Sequence, residues 1–299
     1  MLKRIVICIA FILPMLVCSR AKAQASDIDE LARMEDTLSL MADSMYFAFI
    51  PDMRPAYCEQ FVKKLVKALK VPNSYNYPFD RLKGKINIIY PEDKSFRMFN
   101  WVIAPSEMSR RYYAAIQMPG EQLKLYPLLD YSAEVAKKEE DTVLSNTRWY
   151  GCLYYRIITH EVDGRPVYTM FGLNEASPIS NKKIMDPMVF EDKGPVFGAP
   201  IFSIGSKTKP GEPVKRFILE YKKGVQVGLN WDDDLKAVYF DKLVSQINDP
   251  NRKYTYVPSG EYDGFKWGNE MWQLVHDLIS VQVLKNGEAP SGAPIKPQE

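Results

Sequence analysis

From residue 85 onward, apolar residues return at every second position, a period that fits half-buried strands and does not fit amphipathic helices. The clearest stretch is 213–244. There Phe217-Ile218-Leu219-Glu220-Tyr221, Val225-Gln226-Val227-Gly228-Leu229-Asn230-Trp231 and Lys236-Ala237-Val238-Tyr239-Phe240 alternate, with turn residues between them at Lys222-Lys223-Gly224 and Asp232-Asp233-Asp234. This reads as a three-stranded meander in which each strand folds back on the one before. Earlier in the chain, residues 86–90, 96–103, 111–117 and 122–128 read as four strands, with Pro119-Gly120 as the turn between the last two. A second group lies at 149–161, 167–173, 183–190 and 195–204. Within it, Asp163-Gly164 is a two-residue hairpin signal that sets His160 opposite Val167 and Thr159 opposite Tyr168. Beyond the meander, 254–258, 261–267 and 271–276 read as strands, the last pair joined by Gly268-Asn269. A charged stretch at 133–141, helical or looped, and a Lys-, Pro- and Gly-rich link at 206–213 separate the groups.

Two helices precede the strands. Ile28, Leu31, Met34, Leu38, Met41 and Met45 fall three or four apart, behind Ser26 in an N-cap position with Asp29 three residues on. The second helix opens at Pro55 and gathers Tyr57, Cys58, Phe61, Leu65 and Leu69 on one side before Val71-Pro72 ends it. The expected fold is therefore mainly β: two N-terminal α-helices in residues 24–83, then a large antiparallel β-meander over residues 84–284, closed as a barrel, a sandwich or propeller-like blades.

The two ends differ from the body. Residues 1–23 carry Lys3 and Arg4, an apolar run from Ile5 to Val17 and the small-residue exit Ala21-Lys22-Ala23, the pattern of a cleavable export signal. Cys18 offers an alternative as a lipidation site, but Val17 before it is branched where a small residue is required. No later run reaches the roughly twenty apolar residues of a spanning helix, so no transmembrane segment is expected in the mature chain. Residues 285–299 have almost nothing to bury and read as a tail. Of 39 basic residues four lie in the leader, which leaves 35 against 37 acidic, a balance of −2 without a basic stripe. Nucleic acid is not an expected partner.

No chemistry is announced by spacing. His160 and His276 are the only histidines, and neither a His-Glu-x-x-His helix nor a paired-cysteine motif is present, so no metal is expected. His160 and Glu161 are neighbours on a strand and point to opposite faces. Cys152 and His160 stand eight residues apart on that strand, far beyond hydrogen-bond reach at about 3.3 Å per residue. No Gly-x-Ser-x-Gly elbow occurs, and Asp232-Asp233-Asp234 lacks the rest of a calcium loop and reads as a turn. No catalytic residue and no cofactor are assigned. Cys58 and Cys152, the two cysteines outside the leader, fit either one disulfide or two buried thiols.

Several stretches do carry a resemblance. Asn73-Ser74-Tyr75-Asn76-Tyr77-Pro78-Phe79-Asp80, Asp93-Lys94-Ser95-Phe96-Arg97-Met98-Phe99-Asn100-Trp101, Trp149-Tyr150 with Tyr154-Tyr155, the 171–183 loop and Tyr256-Val257-Pro258-Ser259-Gly260-Glu261-Tyr262-Asp263-Gly264-Phe265 resemble a pattern found in uncharacterised exported proteins of Bacteroidota. The resemblance implies export in a bacterium with an outer membrane, and it carries no activity over to this chain. The candidate ligand-binding residues are Trp149, Tyr150, Tyr154 and Tyr155: strand neighbours face opposite ways, so one ring of each pair is expected outside, able to stack on a sugar or clamp a peptide, unless both faces are covered. The functional expectation is a non-enzymatic binding or accessory module for an envelope protein or glycan, periplasmic or associated with the outer membrane. The alternative is a periplasmic hydrolase whose carboxylates converge only in the fold.

Overall fold

A computed structural model describes residues 2–135, 138–204 and 212–279, with side chains from residue 25. Helix α1 is Leu2–Phe47 and α2 is Arg54–Leu69. The strands are β1 (Asn87–Ile89), β2 (Arg97–Ser106), β3 (Ser109–Gln117) and β4 (Leu125–Leu128), then, after a one-turn helix α3 (Ser132–Val135), β5 (Leu144–Ser145), β6 (Leu153–Val162), β7 (Arg165–Asn174), β8 (Ser180–Glu191) and β9 (Gly194–Phe197). They are followed by β10 (Phe202–Ser203), β11 (Phe217–Lys222), β12 (Leu229–Asp232), β13 (Ala237–Ser245), β14 (Tyr256–Gly268) and β15 (Met271–Ile279). The mainly β class with two leading helices holds.

Among the described residues the strands form three open sheets and no closed barrel. The first runs β1-β2-β3-β4, the second β5-β9-β8-β7-β6 with β11 also on β8, and the third β10-β15-β14-β13-β12. All pairs are antiparallel except the two-residue pair β10–β15. Three apolar cores lie between four layers. Leu31, Leu38 and Met45 of α1 and Phe61 and Leu65 of α2 pack on Phe99, Trp101 and Ile103 of β2. The other face of that sheet, through Met98, Tyr112 and Ile116, meets Tyr154, Met170 and Ile184 of the second. The second sheet's far face, through Phe171, Met185 and Phe217, meets Val238, Phe265 and Trp272 of the third. The second sheet is thus covered on both faces, which its continuous apolar runs require.

Some expectations change. Helix α1 passes through Ser26, which is exposed and caps nothing, because Arg20-Ala21-Lys22-Ala23-Gln24-Ala25 before it are strong helix formers. The central meander is divided between sheets. β11 does not fold back on β12: it pairs with β8, Phe217 against Met185, and after Gly224 (φ 80°) the chain crosses to the third sheet. Phe217 and Leu219 face the third sheet while Ile218 faces the first, so the strand is apolar on both sides and belongs in the middle layer. Stretches 254–258 and 261–267 are one strand, β14, which bends at Gly260 (φ 91°) and shifts register beside Gly264 instead of turning. The turn into β15 is Asn269-Glu270 (φ 52° and 57°), one residue beyond the expected pair. Stretch 195–204 splits into β9 and β10, in different sheets. The Asp163-Gly164 hairpin has the expected register, His160 opposite Val167 and Thr159 opposite Tyr168. Tail 285–299 and most of link 206–213 lie outside the described residues.

Gly264 sits where β14 needs no side chain. A Cβ there would lie 2.4 Å from the Val238 carbonyl oxygen and 2.2 Å from the Leu278 Cδ2. Gly264→Ala is expected to cost about 1–3 kcal/mol by overpacking a central strand, read as a lower urea midpoint, whereas Gly164→Asn in the β6–β7 hairpin changes the midpoint little.

Candidate functional site

Three of the four candidate aromatics lie inside. Trp149, Tyr150 and Tyr154 are buried between the first and second sheets, and the half-buried Tyr155 faces the third. Tyr154 and Tyr155 do take opposite faces of β6, but both faces are covered, so neither ring of that pair stands clear of the protein. Trp149 and Tyr150 precede β6 rather than opening it. Trp149 bridges to Asp130 of the neighbouring segment, its N–H donating to the Leu129 carbonyl, and Gly151 is required because the Asp130 carboxyl occupies the place of a Cβ.

What these rings surround was not anticipated. Asp186 of β8 and Arg216, one residue before β11, form an ion pair with both side chains 0% exposed: the guanidinium Nε donates to Asp186 Oδ1 at 2.8 Å. The Tyr154 hydroxyl donates to the other carboxylate oxygen at 2.8 Å and accepts from the Trp149 indole N–H at 3.0 Å. Tyr150 lies under the guanidinium, 5.5 Å from ring centre to Arg216 Cζ. Burial pushes the Asp186 carboxyl up, and Arg216 and the Tyr154 hydroxyl pull it back. Cys152 belongs to the same core, and burial, followed by the Asp186 charge, pushes its thiol well up, so it is a packing group rather than a nucleophile. Cys58 is also a free, buried thiol, in the helix-facing core, so no disulfide forms.

This network shapes a surface. Arg216 Nη1 donates to the Glu139 carbonyl, and the Lys215 and Arg216 backbone N–H groups donate to the Glu140 carbonyl. The Glu139 carboxylate accepts from Lys182 Nζ at 2.7 Å and from the Tyr150 hydroxyl at 2.9 Å. Segment 138–141, held in this way, forms one wall of a cleft of about 490 Å³ between the second and third sheets. Residues 217–220 of β11 run along it, and the opposite wall comes from β13, Lys253, Tyr256 and Asp263. Tyr150 is therefore one hydrogen bond behind the cleft, although buried.

Most of the carboxylates at the cleft are already acceptors. Asp241 takes the Gly228 N–H at 2.6 Å, and Glu220 takes the Ser180 hydroxyl at 2.6 Å. Asp263 takes the Asp277 N–H at 3.0 Å and stands 3.2 Å from His276 Nδ1. The two histidines do not meet, and among the described residues no group of His, Cys, Asp and Glu is placed to hold a metal ion. His160 instead packs against two tryptophans that also touch each other, stacked on Trp267 at 4.1 Å and edge-on to Trp272 at 4.8 Å, with its Nδ1 buried and unpartnered. Burial pushes it down to about 4.

Asp186 had a sequence signal, a single acid inside Ile184-Met185-Asp186-Pro187-Met188-Val189, and so had Arg216 before Phe217-Ile218-Leu219. A charge set in an apolar strand run needs a buried partner. Nothing in the order of residues says which partner it is. No family model, no curated protein and no solved structure matches the chain.

Removing one partner of the ion pair strands the other, so Asp186→Leu or Arg216→Met is expected to cost about 3–5 kcal/mol in chemical denaturation. The pair Asp186→Leu with Arg216→Met should cost less than the sum of the two single changes, as a double-mutant cycle would show. His160 binds its proton more weakly folded than unfolded, so stability falls with acidification from about pH 6.5 to about pH 4. His160→Gln is expected to flatten that part of the pH–stability curve.

Proposed function

We propose that this is an exported, non-enzymatic protein of the cell envelope that binds a protein or glycan partner in the cleft between its second and third sheets. The observation that carries the reading is the state of the cleft's carboxylates. Those of Glu139, Glu220, Asp241 and Asp263 are held by Lys182, Ser180, the Gly228 N–H and the Asp277 N–H. Groups fixed as acceptors offer a ligand lone pairs and negative charge, whereas a general acid must hold a proton and give it up. The apolar residues Phe217, Leu219 and Phe240 with the half-buried Tyr256 supply the contact area that a bound partner requires.

Export is supported by the charge, length and exit of residues 1–23. The first buried side chain among the described residues is Leu31, and residues 25–30 contribute none, so a chain beginning at Gln24 keeps every core contact described. Periplasmic or outer-membrane association follows from the resemblance to exported proteins of Bacteroidota. A second reading, a hydrolase, draws on the pairing of His276 with Asp263 at the cleft.

One experiment separates the two. Tagged protein recovered from its native envelope is expected to bring a partner with it, and Tyr256→Ala is expected to reduce that recovery by about tenfold, about 1.4 kcal/mol, while the unfolding curve is kept. Turnover of peptidoglycan, esters or peptides that His276→Ala abolishes would instead establish the hydrolase. Mass spectrometry of the envelope-derived protein should find Gln24 at its N-terminus.

A further inference from the structure

The lining of the cleft has a periodicity that a sheet face does not produce. β11 contributes Phe217, Ile218, Leu219 and Glu220, four residues in succession. Neighbouring side chains of a strand point to opposite faces, so a surface resting on one face draws on every second residue. Four in a row means that the cavity meets the strand edge-on. β11 is paired along one side only, with Ser180–Met185 of β8, and among the described residues no strand lies along its other side. Its outward N–H and C=O groups therefore form the floor of the cleft along Phe217–Glu220, roughly 13 Å.

Most of the other sheet edges are blunted. β1 has three residues, β5 and β10 two each and β12 four, and β4 carries Pro127; β6 shifts register at its start and then runs unbroken from Arg156 to Val162, but it does not line the cleft. Short strands, proline and bulges are the usual protections against unwanted pairing. β11, Phe-Ile-Leu-Glu-Tyr-Lys, has no proline and no register shift against β8. An unprotected edge recessed in a walled cleft is shielded from flat, indiscriminate association yet open to a single inserted chain. The walls carry charge of one predominant sign, six carboxylates against three lysines.

We infer that the cleft takes an extended, basic polypeptide segment of a partner protein, which joins the second sheet as a strand alongside β11. The inference rests on the binding reading above and narrows the partner to polypeptide. Main-chain hydrogen bonds to β11 supply the affinity, and the alternation of the inserted strand supplies the specificity. Apolar side chains face Phe217, Leu219 and Phe240, and Lys or Arg side chains face the wall that holds Glu139 and Glu220.

The test uses the chain from Gln24 and a capped octapeptide alternating valine with lysine. Two further versions are N-methylated on every second residue, in one at the valines and in the other at the lysines. A valine–glutamate octapeptide and an N-acetylglucosamine tetramer complete the set, with calorimetry and hydrogen exchange as readouts. The valine–lysine peptide is expected to bind and to slow exchange of alternate β11 amides by about tenfold or more. One methylated version alone should lose binding, because only one edge of the inserted strand meets β11, and the glutamate peptide should not bind. Equal binding by both methylated peptides, no change at β11, or a dimer joined β11 to β11 that the peptide does not displace would each overturn strand addition. Saccharide binding without peptide binding would overturn it too, yet leave the binding reading intact; a protein that binds neither and recovers no envelope partner loses both.

Discussion

A charge pair sealed in the middle layer sets the position of almost everything near the cleft. Asp186 belongs to β8, around which the second sheet is built, and Arg216 stands at the threshold of β11. Their bond fixes where β11 begins and therefore its register on β8. Arg216 Nη1 holds the backbone of segment 138–142, which becomes a wall of the cleft, while Nη2 is buried without a hydrogen-bond partner among the described residues. Burying an arginine and a carboxylate costs several kcal/mol per ion before their attraction is counted, so such a pair is a poor source of stability and a strong source of uniqueness. A slipped β11 would leave two unpaired charges in an apolar core. The Tyr154 hydroxyl, which accepts from the Trp149 indole N–H, completes the arrangement by donating to the carboxylate oxygen that Arg216 does not reach.

A similar device anchors the outer layers without an acid. Arg97 of β2 is fully buried and donates to Gln117 and to the carbonyls of Tyr77 and Ser74, while Phe79 and Phe99 lie within about 5 Å of its guanidinium carbon. Glu35 of α1 accepts from the Tyr77 hydroxyl and the Arg81 N–H. The loop between α2 and the first sheet is thus tied from both sides, and α1 is tied to the loop. The first sheet is tied to the second by Asn100, whose side-chain amide donates to the Cys152 carbonyl and accepts from the Tyr154 N–H, and the third to the second by the Trp272 indole N–H donating to the Thr169 hydroxyl.

Much of the fold was legible because alternation is a local property. The four strands of the first sheet, the two helical stripes and the Asp163-Gly164 register all follow from residues within a few positions of one another. Partner choice is not local. Phe217 to Tyr221 has the same period whether the strand pairs with its successor or with β8, and its three consecutive apolar residues were the only mark of a two-sided burial. The candidate site suffered in the same way. Tyr154-Tyr155 signals opposite faces correctly, but exposure depends on how many layers the molecule has, which no pair of neighbours records. Asp186 and Arg216 were visible as misplaced charges, and Glu139 became relevant only because Tyr150 and Lys182 converge on it.

The placement of the two thiols has a consequence for how such a chain matures. Cys58 lies on the helix side of the first sheet and Cys152 on the opposite side, so that sheet separates them. Once the layer is in place, an oxidant has no route to link them. Before it is in place, a crosslink between them would be a dead end, since it would hold together what the sheet must divide. The two thiols are thus kept apart by the fold itself, and the final arrangement uses no bond between them.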